Sequence, residues 1–290
     1  VGFVARLVAL GEYPAGFNQD EASAAYDAYS ILKTGYDRNG QFLPVHLIAW
    51  GSGQNALYSY LSMPFLAVFG LDVWAFRLPM ALIGCLSLFA FWRLLLAMTD
   101  RKTALAGLAL LAICPWHILK SRWALESNLF PDLLLFGVLF LVIGLQHDRL
   151  PPFLAGCGVL GLSSYAYGTA YLFLPVFVLP LLLFLVAKKR LSFRRACAGL
   201  GVLAMAAQAG LAGLAAKWWL GDVRAAGALR LSALGLPWMA VSAVLRGFFL
   251  ARRRVGPNVA SQLAEQTVRI GAVAAALYAT PGRDAGERCT

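Results

Sequence analysis

The sequence predicts an all-α membrane protein, a polytopic bundle of transmembrane helices with a structured first extracytoplasmic loop containing short interfacial helices. Sixty per cent of the 290 residues are hydrophobic and only 13% are charged, against roughly 45–50% apolar and ~25% charged in soluble domains. Mean hydropathy is +0.69. The apolar residues fall into successive runs, several near the ~20 residues that a crossing needs, and short basic clusters separate them. These observations argue against a soluble fold and leave no room for a large soluble domain beside the membrane part.

The elements follow in chain order. Val1 to Leu10 is apolar but short, and the chain does not open on Met, so this stretch is expected to be the end of a first crossing in a piece of a longer protein. No cleavable signal pattern is visible. Residues 11–70 form the first extracytoplasmic loop. Asn18 or Asp20 caps a helix running to Thr34, with Glu21 in its first turn and Gly35 just past its end. Ala22, Ala25, Tyr26, Tyr29 and Leu32 recur at helical spacing, which makes the helix amphipathic and too polar to span. Asp37-Arg38-Asn39-Gly40 reads as a turn, and Tyr58 to Phe69, with Pro64 inside, as a second interfacial helix.

About seven crossings are expected over residues 71–250: Leu71–Met98, Thr103–Leu119, Leu129–Leu145, Phe153–Gly168, Tyr171–Ala187, Ala196–Ala216 and Leu231–Leu250. Residues 1–254 thus make one membrane domain, and 255–290 a tail of uncertain structure. Arg101-Lys102, Arg149, Lys188 to Arg195 and Arg252 to Arg254 fall on one face, which the positive-inside rule assigns to the cytoplasm. The net charge of +11 is accounted for by these loops, so no nucleic-acid partner is expected. Localisation in the cell membrane, inner or plasma, as a multi-pass protein follows. The loop 11–70 and the segment Trp116 to Asn128 then share the opposite face.

Those two segments hold the unusual polar residues. Asp20 and Glu21 are adjacent carboxylates that serve either as helix capping or as chemistry. Arg122 and Glu126 stand four residues apart and would pair if the segment is one helix. Ionisable groups beside spans point to function unless they snorkel, with Trp116 and Trp123 as interface anchors. Arg77 either reaches a lipid phosphate or snorkels. His46, His117 and His147 are too dispersed for a zinc site, and the five cysteines show no CxxC spacing and read as core residues. P-loop, GxSxG and HExxH signatures are absent. No cofactor is certain; a divalent metal held by oxygen ligands around Asp20 is possible.

In order, Asp20-Glu21-Ala22-Ser23, Tyr26 to Gly35, Phe69-Gly70, Phe76-Arg77-Leu78-Pro79, Pro115-Trp116-His117, Ser121-Arg122, Glu126 and Asn128 resemble bacterial members of glycosyltransferase family 39, of the C-type superfamily. They are similar to the dolichyl-phosphate-mannose protein mannosyltransferases and the aminoarabinose lipid A transferases over about Tyr13 to Pro180. The resemblance implies a cell-envelope enzyme that moves a sugar from a polyprenyl phosphate to a protein, lipid or glycan acceptor on the outer face. It places the acidic catalytic motif at Asp20, with Glu21 beside it. Arg122, Arg77 and Lys33 would bind the donor phosphate, while Glu126, His117 and Asn128 orient. Where many relatives carry a Lys-Pro-Pro element, this chain has Gly53-Gln54-Asn55-Ala56-Leu57, so contacts made by that element are not carried over. The similarity fades beyond Pro180, and the family's later helices are not found. A transporter or flippase, or an inactive membrane scaffold, are the competing classes. They differ from a transferase in where Asp20, Arg122 and Glu126 lie: transporters place such groups at the midplane, a transferase in a cleft at the membrane surface.

Overall fold

A computed structural model describes residues 1–49 and 52–218. In chain order the helices are α1 (Gly2–Leu7), α2 (Gln19–Thr34), α3 (Leu57–Phe69), α4 (Val73–Met98), α5 (Arg101–Ile113), α6 (Pro115–Arg122), α7 (Glu126–Gln146), α8 (Leu150–Leu162), α9 (Ala170–Ala187) and α10 (Phe193–Trp218). Strands β1 (His46–Ala49) and β2 (Ser52–Asn55) stand between α2 and α3. The expected Leu231–Leu250 crossing, the Arg252 to Arg254 cluster and the 255–290 tail lie outside the described residues.

Among the described residues α4, α7 and α9 are each long and apolar enough to cross a membrane, and α5 with α6 makes a fourth span bent by 58°. The bend falls at Cys114 because Pro115 follows it: a proline pushes the preceding residue out of the helical region, and Cys114 sits at φ −63°, ψ 117°. The expected unbroken helix Thr103–Leu119 is therefore two helices. The 13-residue α8 is shorter than the expected Phe153–Gly168 crossing, since the chain leaves the α-helix at Ser163 for a single 3-10 turn.

Helix α2 forms as its local signals require. Asn18 Oδ1 accepts from Asp20 N at 2.8 Å, Glu21 returns a bond to Asn18 N, and Gly35 closes the far end at φ 80°, a conformation glycine adopts without a Cβ penalty. Its buried face, Ala24, Ala25 and Ala28, packs with Tyr58 and Leu66 of α3 and Phe76 and Met80 of α4. The turn at Asp37 to Gly40 closes through Gly40 N to Asp37 O and is docked on α2 by Arg38, which donates to Ser23 Oγ at 2.6 Å.

The β-hairpin was not anticipated. Its antiparallel register pairs His46 with Asn55 and Leu47 with Gln54, and Leu47 is fully buried against Ile31 and Ala56. Gly53 makes room for the His46 imidazole, since a Cβ there would come within 1.6 Å of the ring and displace it. Helices α7 and α8 pack backbone to backbone: a Cβ on Gly156 would lie 2.8 Å from Gly137 O and Leu141 N. Such close approach through small residues is how helices associate where lipid removes the hydrophobic drive.

The two ends of the bundle differ. Gln146 Nε2 donates to Ala97 O at 2.5 Å, so α4 and α7 finish together, and the α7–α8 turn is tied to the start of α10 by the ion pair of Asp148 and Arg195. The 21 residues of α7 separate this end from α2, α3 and the hairpin by about 30 Å at 1.5 Å per residue, about the thickness of the hydrocarbon core.

Candidate active site

The two polar stretches, far apart in sequence, meet at the end where α7 begins. Glu21 is the fastener. It is fully buried and accepts four hydrogen bonds: from Arg77 Nε at 3.0 Å, Arg77 Nη2 at 2.8 Å, Ala124 N at 2.9 Å and Asn18 N at 3.2 Å. One carboxylate thereby joins α2, α4 and the α6–α7 link. Arg77 is also fully buried; its other donors go to Pro14 O at 2.9 Å and Gly16 O at 2.8 Å, and it lies 5.8 Å from the Phe17 ring.

Arg122 and Glu126 do not pair, contrary to the expectation that one helix carries both. Helix α6 stops at Arg122, Trp123 and Leu125 are extended, and α7 starts a new axis at Glu126. All the donor nitrogens of Arg122 are taken by carbonyls at the end of α1: Tyr13 O from Nε, Ala5 O and Val8 O from Nη1, Ala9 O and Tyr13 O from Nη2, at 2.8–3.1 Å. A cation at these carbonyls satisfies acceptors the helix end leaves over and complements its dipole. Lys33 is exposed in the last turn of α2, over the Tyr29 ring. Thirteen residues of helix set it about 20 Å from Asp20, too far to share a small substrate.

The orienting candidates are likewise engaged with protein groups. His117 Nδ1 is 2.6 Å from Arg6 Nη2, and its Nε2 is 3.0 Å from Ser87 Oγ. A guanidinium only donates, so Nδ1 accepts and Nε2 carries the proton toward Ser87. Asn128 Nδ2 donates to Trp123 O at 2.9 Å, and the Asn128 backbone carbonyl accepts from Lys120 Nζ, which is paired with Asp132 at 2.5 Å. These bonds hold α6 against α4 and α7.

What remains open is a cleft of about 250 Å³ lined by Asp20, Gly53, Gln54, Glu126, Ser127 and Tyr167, with Ala49 and Leu125. Asp20 is half-buried in its wall, and no described residue hydrogen-bonds to its carboxylate. Glu126 accepts from Asn55 N, which ties the hairpin to the first turn of α7, and stands within electrostatic reach of Asp20. Among the described residues, no Lys or Arg lines this wall. Among the described residues no group of three or more His, Cys, Asp or Glu converges as a metal site.

A second cavity of about 220 Å³ runs between α9 and α10, lined by Tyr171, Leu174, Val178, Leu200 and Leu203 among others, and it is largely apolar. Tyr171, in the first turn of α9 and four residues on from Tyr167, is within electrostatic reach of Glu126, so the groove adjoins the polar cleft. Gln54 and Tyr167 were missed in the sequence. The signal for the first was the apolar run Leu47 to Trp50 followed by Gly51-Ser52-Gly53, a hairpin pattern; Tyr167 carried none.

With α4, α5–α6, α7 and α9 apolar enough to cross, the chain is a helical membrane protein. No curated protein and no solved structure matches it. The family model described as dolichyl-phosphate-mannose-protein mannosyltransferase does match, over residues 55–211, a stretch that includes Glu126, Ser127 and Tyr167 and begins just after Gln54. That match covers more than half of the 290 residues, and the chain belongs to this family of membrane glycosyltransferases.

Proposed function

We propose that the chain transfers a sugar from a polyprenyl-phosphate donor to a protein acceptor at the extracytoplasmic face of the cell membrane, inner or plasma. One observation carries this reading: a polar cleft with two carboxylates, Asp20 and Glu126, opens beside an apolar groove. A polyprenyl-linked sugar is divided the same way, into a polar head and a long apolar tail. The location supports the reading too. Arg101-Lys102, Arg149, Lys188 to Arg190 and Arg194-Arg195 gather at the end of the bundle opposite the cleft, as cytoplasmic loops do.

Asp20 is the base. As the acceptor hydroxyl attacks the anomeric carbon, its proton passes to the Asp20 carboxylate, and the bond from the anomeric carbon to the phosphate oxygen breaks with its electrons going to the lipid phosphate. Glu126 faces the same space and positions the acceptor. The departing phosphate sits over the first turn of α7, which lacks a side-chain cap, so its amides and the positive end of a 21-residue helix face the developing charge. Arg77 and Arg122, expected to hold the phosphate, act here as positioning residues that shape the wall, and Glu21 does the same.

The test uses membranes containing the full chain, radiolabelled dolichyl-phosphate mannose and a protein acceptor fraction. Label moves into protein with wild type, and Asp20→Asn lowers the rate by about 10²–10⁴-fold, the usual contribution of a general base. Undiminished transfer by Asp20→Asn removes Asp20 from the chemistry; absence of any transfer by wild type removes the reaction.

A further inference from the structure

Gln54 lies on β2 opposite Leu47, on the buried face of the hairpin, and is only 6% exposed. Its Nε2 donates to Asp20 O at 3.3 Å. A carbonyl oxygen only accepts, so this bond fixes which end of the amide is nitrogen, and the remaining atom, Oε1, is an acceptor. Among the described residues that Oε1 has no hydrogen-bond partner, although Gln54 is a wall residue of the cleft that Asp20 and Glu126 share. Buried acceptors are nearly always paired, and one left over costs about as much as a lost hydrogen bond.

The wall narrows the chemistry of a ligand held in the cleft. Asp20 and the Gln54 amide oxygen accept hydrogen bonds, Glu126 already accepts one from Asn55 N, and among the described residues the lining includes no Lys or Arg. Such a surface favours a group with several hydroxyls and disfavours a carboxylate set beside Asp20 and Gln54, away from the α7 amides that face the phosphate. Ser127 and Tyr167 add hydroxyls that accept or donate as needed.

We propose that Gln54 is a specificity-determining residue: its Oε1 accepts a hydrogen bond from one hydroxyl of the transferred sugar, and the cleft selects a neutral hexose over a uronic acid. This rests on the proposed transferase reading. The bond to Asp20 O also places the sugar beside the base, because the same amide touches the backbone of Asp20 and the ligand.

The experiment compares wild type, Gln54→Met and Gln54→Glu in membranes of matched expression, using dolichyl-phosphate mannose and its 2-, 3-, 4- and 6-deoxy analogues. With wild type, one deoxy position lowers kcat/KM by about tenfold, the usual range for one lost neutral hydrogen bond with its desolvated partner. Gln54→Met lowers kcat/KM for the parent donor by about the same factor and shows no further penalty at that one position. Gln54→Glu keeps an acceptor oxygen and loses the amide donor, so it retains the deoxy penalty. A dolichyl-phosphate uronic acid is a poor donor for wild type. Thermal melts of both variants separate a folding defect from a recognition defect, since misfolding lowers every donor equally and leaves no position-specific coupling.

Transfer by wild type with every deoxy position uncoupled from Gln54 overturns the inference and leaves the transferase reading standing. Coupling that appears with acceptor analogues instead of deoxy donors assigns Gln54 to the acceptor and also overturns it. If wild type transfers no sugar from any of these donors, the transferase reading itself has failed.

Discussion

The adjacent carboxylates Asp20 and Glu21 separate chemistry from architecture, and replacing each in turn measures the division. Glu21 and Arg77 are both fully buried and joined by two hydrogen bonds at 2.8 and 3.0 Å. Removing one partner of a buried pair costs about 3–5 kcal/mol because the other charge is left without compensation. Glu21→Ala also strips an acceptor from Ala124 N and Asn18 N, so the lower end of that range is a floor. At about 2–4 °C per kcal/mol for a chain of this size, the melting temperature falls by about 6–20 °C. Asp20→Asn removes a half-buried charge from the first turn of α2 and costs under about 1 kcal/mol. Thermal unfolding of purified protein in detergent, read by size-exclusion chromatography beside transfer of labelled sugar, checks both. Glu21→Ala is expected to melt low, and Asp20→Asn to melt normally while losing turnover. A Glu21→Ala protein that melts like wild type yet transfers nothing would refute the assignment, as would a large loss of stability in Asp20→Asn.

Further outcomes follow from the same geometry. Arg122→Lys is expected to cost about 2–3 kcal/mol, because an ammonium has three donors and no planar fork for the carbonyls of α1; the melting temperature reads it, and an unchanged value removes Arg122 from the α1 dock. Gly156→Val forces a side chain against Gly137 O and Leu141 N, and a loss of at least about 1–3 kcal/mol is expected from overpacking alone, measurable as lower yield of monodisperse protein. Leu203→Trp fills the apolar groove and raises KM for a long polyprenyl donor more than for a short-chain analogue; equal effects on both count against the groove as the tail site. Burial pushes the Asp27 carboxyl above its usual range, with Arg38 opposing the shift. A raised carboxyl makes the folded state bind its proton more tightly, so charged Asp27 costs stability above the raised value and the cost disappears as pH falls toward the ordinary carboxylate range. The gap in melting temperature between Asp27→Asn and wild type therefore closes on acidification, and a gap constant with pH contradicts the reasoning.

Much of the fold was legible because its causes are local. The cap at Asn18, the Glu21 box and Gly35 mark both ends of α2 within one window, and the long apolar runs of α4, α7 and α9 mark themselves. Pro115 was visible too, and the break before it follows from proline sterics. The hairpin was harder, because strands of four residues give too few alternations to stand out against apolar neighbours.

The sequence by itself determined the membrane class, the order of the helices and the fact that acidic and basic residues gather in two segments, since hydropathy and caps act over one or two turns. Only the tertiary structure decided their roles. A guanidinium suits a phosphate, a carboxylate or a row of helix carbonyls equally well, so the chemistry of Arg77 and Arg122 could not say which each would meet. That choice depends on partners 56 and more than 100 residues away. The same packing consumed Glu21, left Asp20 facing the cleft and brought Gln54, unremarkable as a letter in the chain, to its wall.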